Sequence, residues 1–204
     1  MAATATADVR PLADAPAPTP TRPRVLLVGS AFGASAAALV VLTMLGAYLQ
    51  VRGDLIAGGS TTLPEGTVLP LTPGSMGMLT LTMSLVTMSW TVWALRRDDR
   101  VHAYLALGLT LLFGVAFINS TVYLYQQLAL APTETPAAGL LYAVTGTHLV
   151  MVAVGMLFAA VMGFQALGGQ LTGRDAEGMS AAALYWYLTV AVYVAIWYVI
   201  YITK

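Results

Sequence analysis

Chemistry in this chain narrows to one side chain. His148, in YAVTGTHLVMVAVG, is the one ionisable residue well inside a long uncharged stretch, and an ionisable group at membrane depth is a functional candidate by default. An imidazole there can ligate haem, relay a proton or hydrogen-bond to a neighbouring helix. Haem sites inside bundles usually need several histidines, and the only other one, His102, stands at the start of a different stretch. His148 therefore reads as a neutral imidazole tying two helices together. Met76, Met78, Met83 and Met88 offer thioether sulfurs of the kind copper(I) prefers. With no cysteine in the chain and no histidine nearby, they read as adaptable packing. Absent cysteine also removes disulfides, thiolate metal centres, iron–sulfur clusters and cysteine catalysis. No glycine-rich nucleotide loop, nucleophile constellation or carboxylate pair occurs, and nucleic acid is not an expected partner. No Asp, Glu, Lys or Arg lies at mid-depth in a stretch, so a proton wire or ion-coupled transport path has nothing to run on.

The elements that hold these residues follow from charge distribution. Hydrophobic residues make up 58% of the chain, charged ones 9%, and the mean hydropathy is +0.78. The nine Lys/Arg and nine Asp/Glu gather in short patches. Between them lie stretches at about residues 25–51, 73–95, 101–128, 138–167 and 181–203, each reaching the ~20 residues a helix needs to cross ~30 Å of hydrocarbon. Lipid leaves backbone groups no outside partner, and these runs are too long and too uniformly apolar for barrel strands. The expected fold is all-α: a polytopic membrane bundle of five transmembrane helices, forming one domain over residues 24–204. Residues 1–23, rich in Ala, Pro and Thr, read as a disordered cytoplasmic tail. The apolar run after Arg24 exceeds the h-region of a signal peptide, so a first membrane helix is expected there.

Orientation follows from the arginines. With the N-terminus inside, Arg10, Arg22, Arg24, Arg96, Arg97, Arg100 and Arg174 are cytoplasmic, against Arg52 and Lys204 outside; the positive-inside rule gives N-in and C-out. The short RRDDR segment forces the second and third helices to be antiparallel neighbours. An outer loop from Gly53 to Thr72 carries the turn formers Gly58, Gly59, Pro64, Gly66 and Pro70. Gly29, Gly33 and Ala37 present small residues at the spacing that lets helices approach closely. Tyr185, Trp186, Tyr187, Tyr193, Trp197, Tyr198 and Tyr201 make the last helix an aromatic anchor with a face for a partner. Arg52 can snorkel to a lipid phosphate, with Tyr48 one turn earlier on the same face.

The order of these motifs resembles the cytochrome c oxidase subunit III family in its short five-helix form. AYLQVR, with Tyr48 and Arg52, is similar to the end of the family's corresponding helix. AYLALGLTLLFGVAF resembles its LGLxLTxxLGxxF pattern. TGTHLVMVAVG resembles T-G-x-H-x-x-H-V-x-x-G at Thr145, Gly146, His148, Val152 and Gly155, and the closing YWYLTVAVYVAIWYVIY, with Trp186, resembles the family's aromatic last helix. Departures fall at polar positions: Ala37 stands where the family has an acid, Thr121 and Leu124 replace Gln and Glu, Met151 a second histidine, and Tyr187 and Val190 a His and an Asp. The resemblance implies a non-catalytic accessory subunit of a bacterial haem–copper terminal oxidase. Haem and copper then belong to the neighbouring catalytic subunit I, none to this chain, and phospholipid is held between the helices. The location implied is the bacterial plasma membrane, multi-pass. Tyr48, Arg52, Thr145, Gly146, His148 and Trp186 are the lipid or structural candidates. Electron donors open to such a complex are cytochrome c and quinol. Two other readings stay open: a subunit-III-like accessory protein of nitric oxide reductase, and a small transporter or assembly factor built around Asn119, Ser120 and Thr121.

Overall fold

The uncharged runs fold as α1 (Val25–Ala57), α2 (Leu71–Arg96), α3 (Arg100–Leu128), α4 (Pro136–Leu167) and α5 (Glu177–Trp197), the last continued by a π-helical turn at Tyr198–Ile202. These elements come from a computed structural model that describes residues 24–64, 67, 69–128, 130–171 and 176–203. The tail at 1–23, and Arg10, Arg22, Gly66, Arg174 and Lys204 among the residues weighed above, lie outside the described residues. All five helices are long and apolar enough to cross a membrane, and the described residues contain no strand. The chain is an all-α, multi-pass membrane protein.

Helix ends follow local chemistry. Thr135 caps α4, its hydroxyl accepting from Ala138 N–H at 3.0 Å, with Pro136 in the first turn where its missing N–H costs nothing. At the α2–α3 turn, Asp98 adopts a positive φ of 56°, a conformation Asp tolerates better than most residues. Asp99 then accepts from the backbone N–H of His102 at 3.3 Å and lies 2.7 Å from the ring Nδ1. Between them these residues set α2 and α3 side by side. The first helix runs further than expected: it continues through Gly53 and Asp54 to Ala57, and the chain reverses only at Gly59, whose φ of +72° suits glycine. The connecting loop is correspondingly shorter than residues 53–72.

The aromatic last helix is central. Half of its apolar window is buried, against 17% for α1, and it packs on α1, α2 and α4. Tyr185, Trp186, Tyr193 and Tyr201 point inward, while Tyr198 is exposed. Gly29 and Gly33 of α1 do not serve as expected, since a side chain at either would meet nothing within 4 Å, whereas Ala37 packs against the core. Close approach instead occurs on α2, where the Tyr201 ring lies on Gly74, and on α4, where Gly155 faces Trp186 and Tyr185. The methionines divide likewise, Met88 buried and Met76 and Met83 exposed. Hydroxyls of Thr80, Thr82, Ser84, Thr87 and Thr91 donate to carbonyls of their own helix, satisfying polar groups where lipid offers no partner.

Candidate functional site

One face of each of three helices meets around His148. On α3, Phe117, Thr121 and Leu124 recur at helical spacing; on α4, Leu141, Thr145, His148 and Val152; on α5, Thr189, Tyr193 and Ile196, all buried. His148 is 1% exposed, and its Nε2 lies 3.0 Å from the Thr189 carbonyl oxygen. A carbonyl only accepts, so the hydrogen sits on Nε2 and Nδ1 is a lone pair. Nδ1 has no hydrogen-bond partner among the described residues. Phe117 meets the imidazole edge-on, with centroids 5.6 Å apart, and Tyr193 lies across it at 5.2 Å. Next to the ring is a cavity of about 10 Å³ bounded by Thr121, Thr145, Tyr193 and Tyr201 among others, the scale of one water molecule.

Hydroxyl groups extend the cluster. Thr145 donates to Leu141 O at 2.7 Å and shares a 2.7 Å hydrogen bond with Tyr125 of α3. Tyr193 donates to Gly74 O at 3.1 Å, reaching α2. Gly146 lies beside this group, its added Cβ falling 4.0 Å from the Tyr125 hydroxyl. The pairs His148–Thr189, Thr145–Tyr125 and Tyr193–Gly74 thus fasten α4 to α5, α4 to α3, and α5 to α2. No carboxylate or amine lines the cavity, and no group of three or more His, Asp or Glu that could hold a metal occurs among the described residues. Chemically, the arrangement orients helices. Leu124, Met151 and Val190, which stand at the family's polar positions, are buried here and fill apolar space.

The remaining candidates are separated from this cluster. Trp186 is fully buried on another part of α5, donating from Nε1 to Ser84 Oγ at 2.9 Å. Arg52 lies toward the far end of α1, with Tyr48 buried one turn before it. Its guanidinium donates to Thr203 Oγ1 at 3.1 Å and Val199 O at 3.4 Å, so it closes the C-terminal turns of α5, where carbonyls outnumber donors and a cation is favoured. Sequence reasoning names only a lipid phosphate for Arg52, since the Val199 carbonyl and the Thr203 hydroxyl, 147 and 151 residues away in the chain, carry no sequence signal. It likewise passed over Tyr125 and Phe117; their i, i+4, i+8 relation to Thr121 was the available clue.

Replacing His148 with Leu should have a small effect. Intramembrane hydrogen bonds average about 0.6 kcal/mol and reach at most ~1.7, so the unfolding midpoint in mixed micelles should fall by no more than that range. A loss of several kcal/mol would assign His148 more than a helix-fastening role.

The profile of the family described as cytochrome c oxidase subunit III matches residues 56–204. A probable cytochrome c oxidase subunit 3 from Rickettsia conorii is 31% identical over 126 residues, 61% of this chain and 44% of the relative. Cytochrome c oxidase subunit 3 of Bos taurus is 27% identical over 141 residues, covering 68% and 54%, and that of Synechocystis is 26% identical over 164 residues, covering 80% and 69%. The chain spans about half the length of most of the curated relatives it matches.

Proposed function

Because the chain belongs to the cytochrome c oxidase subunit III family, we propose that it is a non-catalytic accessory subunit of a haem–copper terminal oxidase in a bacterial plasma membrane. In this reading it packs against the catalytic subunit I, which holds the haem and copper, and it retains phospholipid that protects the complex during turnover. The supporting observation is the fate of the one buried histidine among the described residues: His148 is committed to a backbone carbonyl among Phe, Thr and Tyr side chains. A proton-collecting path needs a succession of titratable groups, and the cluster is built from hydroxyls and rings. Thr145, Gly146, His148 and Trp186 then act by packing, and Tyr48 and Arg52 by closing α1 onto the end of α5.

The test is purification through a tag on this chain under gentle detergent, with mass spectrometry and optical spectra of the product. Haem a with copper alongside a catalytic subunit supports the reading. Haem b without copper would transfer the chain to a nitric oxide reductase, and a colourless preparation would remove it from both. The proposed N-in orientation predicts that cysteine at Ser60 reacts with an impermeant thiol reagent added outside, whereas cysteine at Asp99 does not; the reverse pattern would invert the bundle.

A further inference from the structure

The cavity beside His148 is bounded by a polar atom that no neighbouring group satisfies. His148 is 1% exposed, and its Nδ1 is buried without a hydrogen-bond partner among the described residues. Because Nε2 gives its hydrogen to the Thr189 carbonyl, Nδ1 presents a lone pair and needs a donor. The surrounding hydroxyls are committed elsewhere. Thr121 spends its hydrogen on Phe117 O at 3.0 Å, Thr145 on Leu141 O at 2.7 Å and Tyr193 on Gly74 O at 3.1 Å. Tyr201 lays the hydroxyl-bearing end of its ring on Gly74 of α2 and makes no bond to Nδ1. The room left among these groups is about 10 Å³, the lower edge of what one water molecule needs. Apolar cavities stay dry, but five of the eight residues lining this one carry a hydroxyl or an imidazole.

We propose that this cavity is a binding site for a single water molecule, which donates one hydrogen to His148 Nδ1 and the other to Thr121 Oγ1 and so ties α4 to α3. The choice of Thr121 follows from the lone pairs that remain. Thr145 Oγ1 donates to Leu141 O, so in its 2.7 Å pair with Tyr125 the phenol is the donor, and one lone pair is left. The Tyr193 hydroxyl is turned to α2, where it bonds to Gly74 O and would stand 2.8 Å from a Cβ at Gly77. Thr121 donates only within its own helix, and both its lone pairs can accept. Other occupants fit less well. An ion would find no carboxylate or amine in the lining to balance its charge, a costly arrangement away from water. An apolar occupant would leave Nδ1 without a donor. With the water bound, His148 is held at both ring nitrogens, to α5 through Nε2 and to α3 through Nδ1, which fixes the imidazole between Phe117 and Tyr193. The site holds whichever complex the chain joins.

The test is magic-angle-spinning NMR of the full-length chain in lipid bilayers, with isotope-labelled histidine nitrogens and the His148 signals identified in H102Q, where no other histidine remains. Nδ1 should carry no hydrogen, resonate as a hydrogen-bond acceptor and receive magnetisation from water although the imidazole is buried. Thr121→Val keeps the size of the side chain and removes its oxygen. It should shorten the residence of that water about threefold, the factor equivalent to one average intramembrane hydrogen bond, and move Nδ1 toward the position of an unbonded nitrogen. Thr121→Ser restores the oxygen and should behave as the unaltered chain does. A hydrogen on Nδ1, or a lone pair there that takes no magnetisation from water, overturns the site, and the unaltered chain decides this whether or not a variant folds. Water transfer kept in Thr121→Val and lost in Thr145→Val overturns the bridge to α3.

Discussion

Trp186→Ala should destabilise the bundle by about 3 kcal/mol, the lower end of the range for removing a buried Trp or Phe. Trp186 is the largest fully buried side chain and is 0% exposed. It reaches from α5 to Ser84 on α2, and its ring would lie 3.0 Å from a Cβ added at Gly155 on α4. Three helices therefore close on one indole. In water much of such a loss would come from exposing apolar surface; in a membrane the lipid is as apolar as the core, so that part shrinks and the unfilled cavity carries the cost. Trp186→Phe retains most of the volume and gives up the hydrogen bond to Ser84, so it should cost about 1 kcal/mol. The check is the unfolding midpoint as denaturing detergent replaces mild detergent. Equal losses in the two variants would show that the N–H, and not the volume, holds these helices.

Gly77→Leu should cost about 2 to 3 kcal/mol, combining overpacking with disturbance of an interhelical hydrogen bond. A Cβ there would stand 2.8 Å from the Tyr193 hydroxyl and 3.2 Å from two ring carbons of Phe117. Neither ring is free to yield: Phe117 and Tyr193 meet edge-to-face with centroids 4.7 Å apart, and Tyr193 is fixed to Gly74 O. Pushing them moves both rings that flank His148, so the variant should also change the near-ultraviolet circular dichroism of the aromatic residues. Gly46→Leu is the comparison, because nothing lies within 4 Å of a Cβ at Gly46. It should be neutral or slightly stabilising, since Gly is about 0.8 to 1 kcal/mol worse than the best helix formers. Equal losses at the two glycines would contradict the close approach of α2 to the His148 cluster.

The five helices were legible because charge is costly in lipid and its absence over ~20 residues is a one-dimensional signal. The α2–α3 pairing was legible too, since Asp98 and Asp99 sit in a turn too short for any other neighbour. Which faces meet was not. Gly29 and Gly33 carry the spacing of a packing motif yet face open space, while Gly74, Gly77 and Gly155 receive the rings of α5. In a soluble protein a polar stripe would have marked the outward side; here lipid-facing and core-facing residues are equally apolar, as Leu79, exposed, and Leu81, buried, show within one turn of α2. For the same reason the aromatic content of α5 signalled contact without revealing that the contact is internal. His148 was legible as an interhelical hydrogen bonder, but its partner is a backbone carbonyl at Thr189, which every residue possesses and no residue type announces. Arg52 shows the converse: its side chain type fits a phosphate and a helix terminus equally well, and its contact with Thr203 at the end of the last helix has no signal in the sequence.

The most direct measurement is to strip this chain with detergent from a complex purified through a second subunit, then to follow haem, copper and oxygen consumption in both fractions. The expected result is that stoichiometric haem and copper stay with the catalytic subunit, that the separated chain carries neither, and that oxygen reduction starts at nearly its original rate but decays sooner than in the intact complex. Haem or copper travelling with this chain, or oxygen reduction lost from the first turnover while the partner keeps all its haem, would contradict an accessory role.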